Sequence, residues 1–338
     1  MDKFILIIGL GSMGKRRIRN LKSLGFFNIV GFDIRADRRL EANEKYFVTT
    51  VDSIEEGLRN YSFMAFIISV PPDFHHFYLK KAIDFEIPSF VEASVLDTNI
   101  NDIILWSNSI KLFIAPSCTL YFHPAIKKIY EIIQKGELGR IANIVYHSGQ
   151  FLPDWHTYES VSEFYVSKKE TGGAREIVPF ELTWITLLFG FPLRVTGFYK
   201  KTINIKGAEE IDDSYHLLLD YDSMIISLVV DVVSRYATRK LMINGDKKQL
   251  TWSWDEKFIK IYDPIIEKWT SVDCESISSE IGYNKNITEK MYIDEMDCFM
   301  SAVMKSTSYP NNLLHDLKVL KLLYKVEESS DSNTILFY

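Results

Sequence analysis

Six residues near the N-terminus, Gly9-Leu10-Gly11-Ser12-Met13-Gly14, have a spacing with a specific chemical use. Glycines at the first, third and sixth positions leave backbone N–H groups unobstructed, and such groups at the start of a helix bind anions. The context is right: Phe4 to Ile8 is an apolar run of buried-strand type, and a helical pattern follows from Lys15 to Leu24. In that setting Gly9 permits the tight turn, Gly11 lets the backbone approach a pyrophosphate, and Gly14 allows close helix packing. Ser12 and Met13 open the helix whose N-terminus meets the anion. Asp33 ends the next strand, about 20 residues beyond, where a carboxylate accepts hydrogen bonds from ribose hydroxyls. The motif therefore predicts a nicotinamide dinucleotide, with NAD(H) ahead of NADP(H). Arg35, Arg38 and Arg39 follow Asp33 and keep NADP(H) open, because cations there can compensate a 2′-phosphate.

These residues need elements to hold them. A strand at Ile29 to Phe32 and a helix through Ala36 to Lys45 complete a βαβ unit, and apolar runs at Phe63 to Val70, Ser89 to Glu92 and Leu112 to Ala115 alternate with helical stretches. That alternation predicts α/β architecture, a doubly wound parallel Rossmann sheet over residues 1–118. A helix at His123 to Lys135, stopped by Gly136, leads into an α+β region over 119–338. Its strands are expected at Ile141 to Phe151, Leu193 to Ile203, Ser214 to Tyr221, Ile225 to Val233, Lys240 to Asn244 and around Trp252 and Ile261. A helix is expected at Glu181 to Phe189, and a last pair at Glu289 to Lys305 and Leu313 to Glu327, candidates to pack back on the first domain.

With 338 residues, 47% hydrophobic and 25% charged, the chain reads as an ordinary globular protein of two domains. A net charge of -6 without a basic run excludes a nucleic-acid partner. Cys118, Cys274 and Cys298 form no CxxC pair, so neither a disulfide framework nor a metal site is expected, and a reducing cytoplasm fits. The glycine-broken N-terminus reads as a strand rather than a signal peptide, and Leu182 to Leu193 is shorter than the roughly 18 residues of a membrane span.

Several blocks together resemble the Gfo/Idh/MocA oxidoreductases, named for glucose-fructose oxidoreductase and inositol dehydrogenase. They are GLGSMGKRRIRNL from Gly9, SVPPDFHHFYLKKAI from Ser69, FVEAS around Glu92, FHPAIKKIYEIIQKGELGRI from Phe122 and TGGAREIVPFELTWITLLFG from Thr171. The resemblance implies that Ser69, Val70 and Pro71 lie under the cofactor, that His75 begins the next helix, and that Glu92, with Ala93 beside it, sits by the nicotinamide ribose. It implies an open-faced, mainly antiparallel second sheet that shapes a substrate pocket and forms a homo-oligomer interface, dimer or tetramer. Two departures stand out: the family's Glu-Lys-Pro reads Glu92-Ala93-Ser94 here, and the family's active-site histidine position falls on Phe180.

Transfer of a hydride from an alcohol carbon also needs a group to hold the hydroxyl proton. The resemblance puts the segment from Trp155 to Glu181 at the nicotinamide pocket, and the expected order for the proton role is Glu181, His156, Lys168, then Tyr165. Trp155, Lys169, Arg175 and Glu176 are the expected substrate contacts. Each has a plainer reading: Glu181 stabilising a helix start, His156 bonded to backbone, Lys168 and Lys169 as a solvated pair, Arg175 paired with Glu176. The reading overall is an NAD(H)-dependent oxidoreductase for a secondary alcohol or ketone of a sugar, sugar phosphate or nucleotide sugar, leaning towards cell-surface sugar biosynthesis. Because the family lysine and histidine are missing, two alternatives stand beside it: a cofactor-binding scaffold or regulator, and an internal-redox epimerase or lyase.

Overall fold

The computed structural model describes residues 3–155, 160–163, 165–274 and 287–338. The chain starts with β1 (Phe4–Ile8), α1 (Ser12–Ser23), β2 (Ile29–Phe32), α2 (Ala36–Tyr46), β3 (Thr49–Val51), α3 (Ile54–Asn60), β4 (Phe63–Ile68), α4 (His75–Asp84), β5 (Ser89–Val91), α5 (Ile100–Ser109) and β6 (Ile114–Pro116). It continues with α6 (Pro124–Gln134), β7 (Ile141–Phe151), α7 (Ala174–Phe189), β8 (Arg194–Lys200), β9 (Ser214–Asp220), β10 (Ile225–Asp231), β11 (Val233–Gly245), β12 (Gln249–Ser253), β13 (Phe258–Asp263) and β14 (Lys268–Asp273). Last come α8 (Glu289–Val303), α9 (Leu313–Ser332) and β15 (Leu336–Phe337). Two compact units result: residues 1–119 with 292–317, and 120–291 with 318–338.

In the first unit six parallel strands run in the order β3-β2-β1-β4-β5-β6, the doubly wound Rossmann arrangement. Period-2 alternation decides both faces. On β1, Leu6 and Ile8 join one core with Tyr78, Leu79 and Ile103, while Ile5 and Ile7 join the other with Ile18, Leu21 and Phe299. The strand is thus buried on both sides, as a parallel sheet flanked by helices requires. Order reverses between β1 and β4, and ligands of such sheets bind outside the carboxyl ends of the strands at that switch.

The second unit is built on a nine-stranded sheet, ordered β14-β13-β12-β11-β7-β10-β9-β8-β15 and antiparallel except where β10 runs beside β7. On β9, Tyr215, Leu217 and Leu219 are buried while His216 and Leu218 are exposed, so one face is covered and the other open. The expected helix at Glu181 to Phe189 is corrected: α7 starts at Ala174, directly after Gly173, and accommodates Pro179 within its second turn. Pro179 reads locally as a breaker, yet burial of Ala174, Val178, Leu182 and Ile185 carries the helix through it. No helix among the described residues is long and apolar enough to cross a membrane.

Candidate functional site

The β1–α1 loop of the first unit is shaped for close approach. Gly9 has φ +91°, and a Cβ there would lie 2.6 Å from the Ser69 carbonyl oxygen. A Cβ on Gly14 would lie 1.9 Å from the Gly9 carbonyl, so only glycine lets the helix turn start here. At Gly11 the nearest atom is the end of the Arg38 side chain, 3.4 Å from a notional Cβ, which leaves the loop open to a ligand. No side chain caps α1 and no acidic residue stands in its first turn, so its N-terminal field is available to a pyrophosphate. These features fit a dinucleotide.

Asp33 closes the loop from the end of β2. Its Oδ2 accepts the Leu10 N–H at 2.7 Å and its Oδ1 accepts the Arg35 N–H at 2.9 Å. Each oxygen retains a further acceptor site, which is what ribose hydroxyls use. Arg38 lies 3.7 Å from the same carboxylate, whereas the Arg35 side chain forks onto exposed Asp37 and Arg39 turns to the Asp33 and Ile34 carbonyls and to Asp52. Among the three arginines Arg38 is the cation beside both Asp33 and Gly11.

Across the switch point, Ser69 follows β4 and Glu92 follows β5. Glu92 is gripped by Arg17 through two parallel hydrogen bonds of 2.8 Å each, and Ser69 Oγ donates to its Oε1 at 3.1 Å. Arg17 also lies 3.0 Å from Glu295 of α8. Burial disfavours the arginine's charge, but Glu92 and Glu295 outweigh it and raise its pKa above the ordinary value. His75 is buried at the head of α4 and its Nε2–H donates to the Val70 carbonyl at 3.0 Å, pinning the segment that holds Ser69, Val70 and Pro71. Burial pushes this imidazole down to about 4, so it stays neutral, and its Nδ1 has no hydrogen-bond partner. A cavity opens here, lined among others by His75, His76, Glu92, Ser94 and Asp316. Burial pushes the Asp316 carboxyl up to about 7. Ala93 is half-buried and brings no ionisable group to the position of the family lysine.

In the second unit the turn before α7 is fixed by backbone crowding. A Cβ on Gly172 would lie 1.7 Å from the Val166 carbonyl, and Gly173, at φ +64°, donates its N–H to that carbonyl at 3.0 Å. The turn brings Tyr165 against Glu176, and the tyrosine hydroxyl donates to Glu176 Oε1. Burial pushes the Glu176 carboxyl up to about 7, with the Tyr165 hydrogen bond pulling the other way, and Oε2 is buried without a partner. Glu181, five residues on, is a different object. Its Oε1 accepts from Ser148 Oγ at 2.7 Å and Arg239 Nε at 2.9 Å, and its Oε2 from the Tyr146 hydroxyl at 2.7 Å and Trp184 Nε1 at 3.0 Å. Four donors fill the carboxylate, the residue is 0% exposed, and it ties α7 to β7 and β11. The expectation of Glu181 at a helix start is thus corrected to the middle of α7.

The other expected contacts spread out. Arg175 pairs with Glu327 at 2.6 Å rather than with Glu176, and Glu327 also accepts the Tyr215 hydroxyl. Lys168 and Lys169 are exposed. Trp155 is half-buried with its indole N–H unmatched, and His156 lies outside the described residues. His123 caps α6, its Nδ1 accepting the Ala125 N–H at 3.1 Å. Residues that sequence reasoning missed are Arg17, Glu295 and Arg239. Arg17 left a signal, since Gly14, Arg17, Ile18 and Leu21 share the buried face of α1. The described residues hold no cluster of three His, Cys, Asp or Glu suited to a metal.

Comparison with known proteins follows the same lines. Residues 126–251 match the family model described as GFO/IDH/MocA C-terminal domain. No curated protein sequence matches the chain. Among solved structures it is similar to levoglucosan dehydrogenase in complex with NADH, with TM-score 0.85 at 13% identity over 100% of this chain and 99% of that one. It is similar to myo-inositol 2-dehydrogenase from Lactobacillus plantarum, TM-score 0.82 at 15% identity over 100% and 99%. A third is an oxidoreductase from Agrobacterium radiobacter in complex with NAD+, L-tartaric acid and magnesium, TM-score 0.84 at 11% identity over 100% and 98%. At such identities the shared property is the fold. Residues 126–251 thus match a GFO/IDH/MocA C-terminal domain, and the whole chain shares its fold with these oxidoreductases.

Proposed function

We propose that the chain is an NAD(H)-dependent oxidoreductase acting on a secondary alcohol or ketone of a sugar-like molecule, with Glu176 and Tyr165 holding the proton. The observation that carries this is the open glycine loop facing the uncapped start of α1, with Asp33 at the end of β2 keeping two acceptor sites for ribose hydroxyls. Support for the substrate class comes from the similar structures, whose names include a levoglucosan and a myo-inositol dehydrogenase. Gly9, Gly11, Ser12, Met13 and Gly14 would cradle the pyrophosphate, and Ser69, Val70, Pro71, His75, Glu92 and Ala93 would line the nicotinamide half. Arg38 replaces Arg35 as the cation beside the adenosine ribose. Bound there, the nicotinamide supplies the hydride acceptor or donor.

Within the second unit, Glu176 is the carboxylate suited to general acid–base work. A carboxyl at about 7 exchanges its proton near neutral pH, and the unmatched Oε2 leaves one oxygen for a substrate hydroxyl. Glu176 would take the O–H proton of the alcohol on oxidation and return it on reduction, with Tyr165 orienting the carboxylate. Trp155 and the exposed Lys168 and Lys169 remain as proposed substrate contacts. Glu181, with four partners, acts as an internal anchor. We further propose self-association through the open face of the nine-stranded sheet, where Val145, Leu218 and Ile225 are exposed. Nicotinamide absorbance in both directions, against a panel of sugars, polyols, sugar phosphates and nucleotide sugars, tests the reading. Substrate-dependent change supports it; tight NADH binding with no change against any of them sinks net turnover and favours a scaffold or an internal-redox epimerase or lyase.

A further inference from the structure

We propose that Arg17 and Glu295 are positioning residues for the nicotinamide end of the dinucleotide, acting through Glu92. The proposal rests on the dinucleotide reading above. Three charged side chains run inward from the end of β5: Glu92, then Arg17 on α1, then Glu295 on α8, with Arg17 in contact with both carboxylates. The side chains of Arg17 and Glu295 are 0% exposed and that of Glu92 is 14% exposed, so the chain of charges reaches the surface only at Glu92. It does so at the carboxyl end of a strand beyond the switch point. Asp33 stands on the other side of that switch, at the end of β2. A dinucleotide whose adenosine ribose meets Asp33 extends its other half towards β4 and β5, and so towards Ser69 and Glu92.

Glu295 is held as firmly as it holds. Its Oε1 accepts from Ser117 Oγ at 3.1 Å, the Cys118 N–H at 2.7 Å and the Tyr309 hydroxyl at 3.1 Å, and its Oε2 accepts from Thr119 Oγ1 at 2.7 Å. Arg17 also lies with its guanidinium 4.6 Å from the Phe90 ring centroid. Every member but Glu92 is therefore fixed from several directions, and the two-pronged grip of Arg17 leaves Glu92 one orientation. A buried ion triad is a weak source of stability compared with apolar packing of the same volume, but it sets geometry and charge. The geometry here is that of one carboxylate presented at the strand ends.

The test compares NADH with ADP, which keeps the adenosine and pyrophosphate but lacks the nicotinamide and its ribose, by calorimetric titration of the full-length protein. Glu295→Gln is expected to weaken NADH binding by about tenfold while ADP binding stays within about twofold. Arg17→Lys keeps the charge, loses the fork and is the second variant should Glu295→Gln fail to fold; a smaller loss, again confined to NADH, is expected. Equal weakening of both ligands would show a merely structural role and overturn the proposal, as would no change in either. If the unaltered protein binds neither ligand, the dinucleotide reading itself falls, a result distinct from any variant effect.

Discussion

In the first unit Asp33 is matched by two backbone N–H groups with Arg38 beside it, Glu92 by Arg17 and Ser69, and Glu295 of α8 by four hydrogen-bond donors and the Arg17 cation. On α7 of the other unit the two carboxylates diverge. Glu181 is filled by four donors, whereas Glu176 has Tyr165 on one oxygen and nothing on the other. Burial alone therefore does not separate architecture from chemistry, since all of these residues are shielded. What separates them is whether the charged form has partners. A carboxylate filled by donors serves as a strut; Glu176, with one oxygen left without a partner, is raised to about 7, where it exchanges a proton near neutral pH.

Four measurements can break or sharpen that contrast. The largest effect is expected from Arg239→Met, which leaves Glu181 buried with only neutral donors. Urea denaturation should show a loss of about 3–5 kcal/mol, and a negligible loss would remove Glu181 from the class of struts. Next, Glu176→Gln should lower turnover by about 10²–10⁴-fold with the thermal midpoint held or raised, because the substitution removes a group that is costly to ionise. Full activity in that variant would return the proton role to another group in the Trp155 to Glu181 segment. Third, Asp33→Asn should weaken NADH binding by about tenfold and narrow the gap to NADPH, as read by parallel titrations; an unchanged preference would mean that the ribose is held elsewhere.

The smallest effect is on the pH dependence of stability. The folded-state value of Glu176, about 7, lies above its ordinary 4.5, so the folded chain holds the extra proton between those values. Its contribution is fully present below about 4.5 and is lost as pH rises towards 7. Glu176→Gln should flatten that part of the stability profile, while Asp316, shifted in the same direction, keeps a residual slope. An unaltered slope would show that Glu176 ionises freely in the folded chain.

Much of the first unit was legible because its signals are local. The glycine loop, the alternating strands and Asp33 all lie within the first βαβ unit, and short-range sterics dictate them. In the second unit the segment proposed to hold the proton is legible as a stretch of chain, but the roles within it are not. Glu181 and Glu176 are the same residue type on one helix, and only their partners distinguish them. Those partners come from elsewhere: Ser148 is 33 residues from Glu181 and Arg239 is 58 residues away. The start of α7 differs from the sequence reading for a related reason, since Pro179 carries a local preference that long-range burial overrides.

The sequence by itself determined the doubly wound sheet, the dinucleotide loop and the acidic end of β2, because glycine sterics and period-2 hydrophobicity act between near neighbours. Only the tertiary structure decided which buried charges are compensated. The sequence puts Arg17 on the apolar face of α1, but only the fold brings Glu92 and Glu295 onto it, and Glu295 meets Ser117 across 178 residues of chain. Ionisation is set by solvation and by charges within a few ångströms, and neither is a property of adjacent residues.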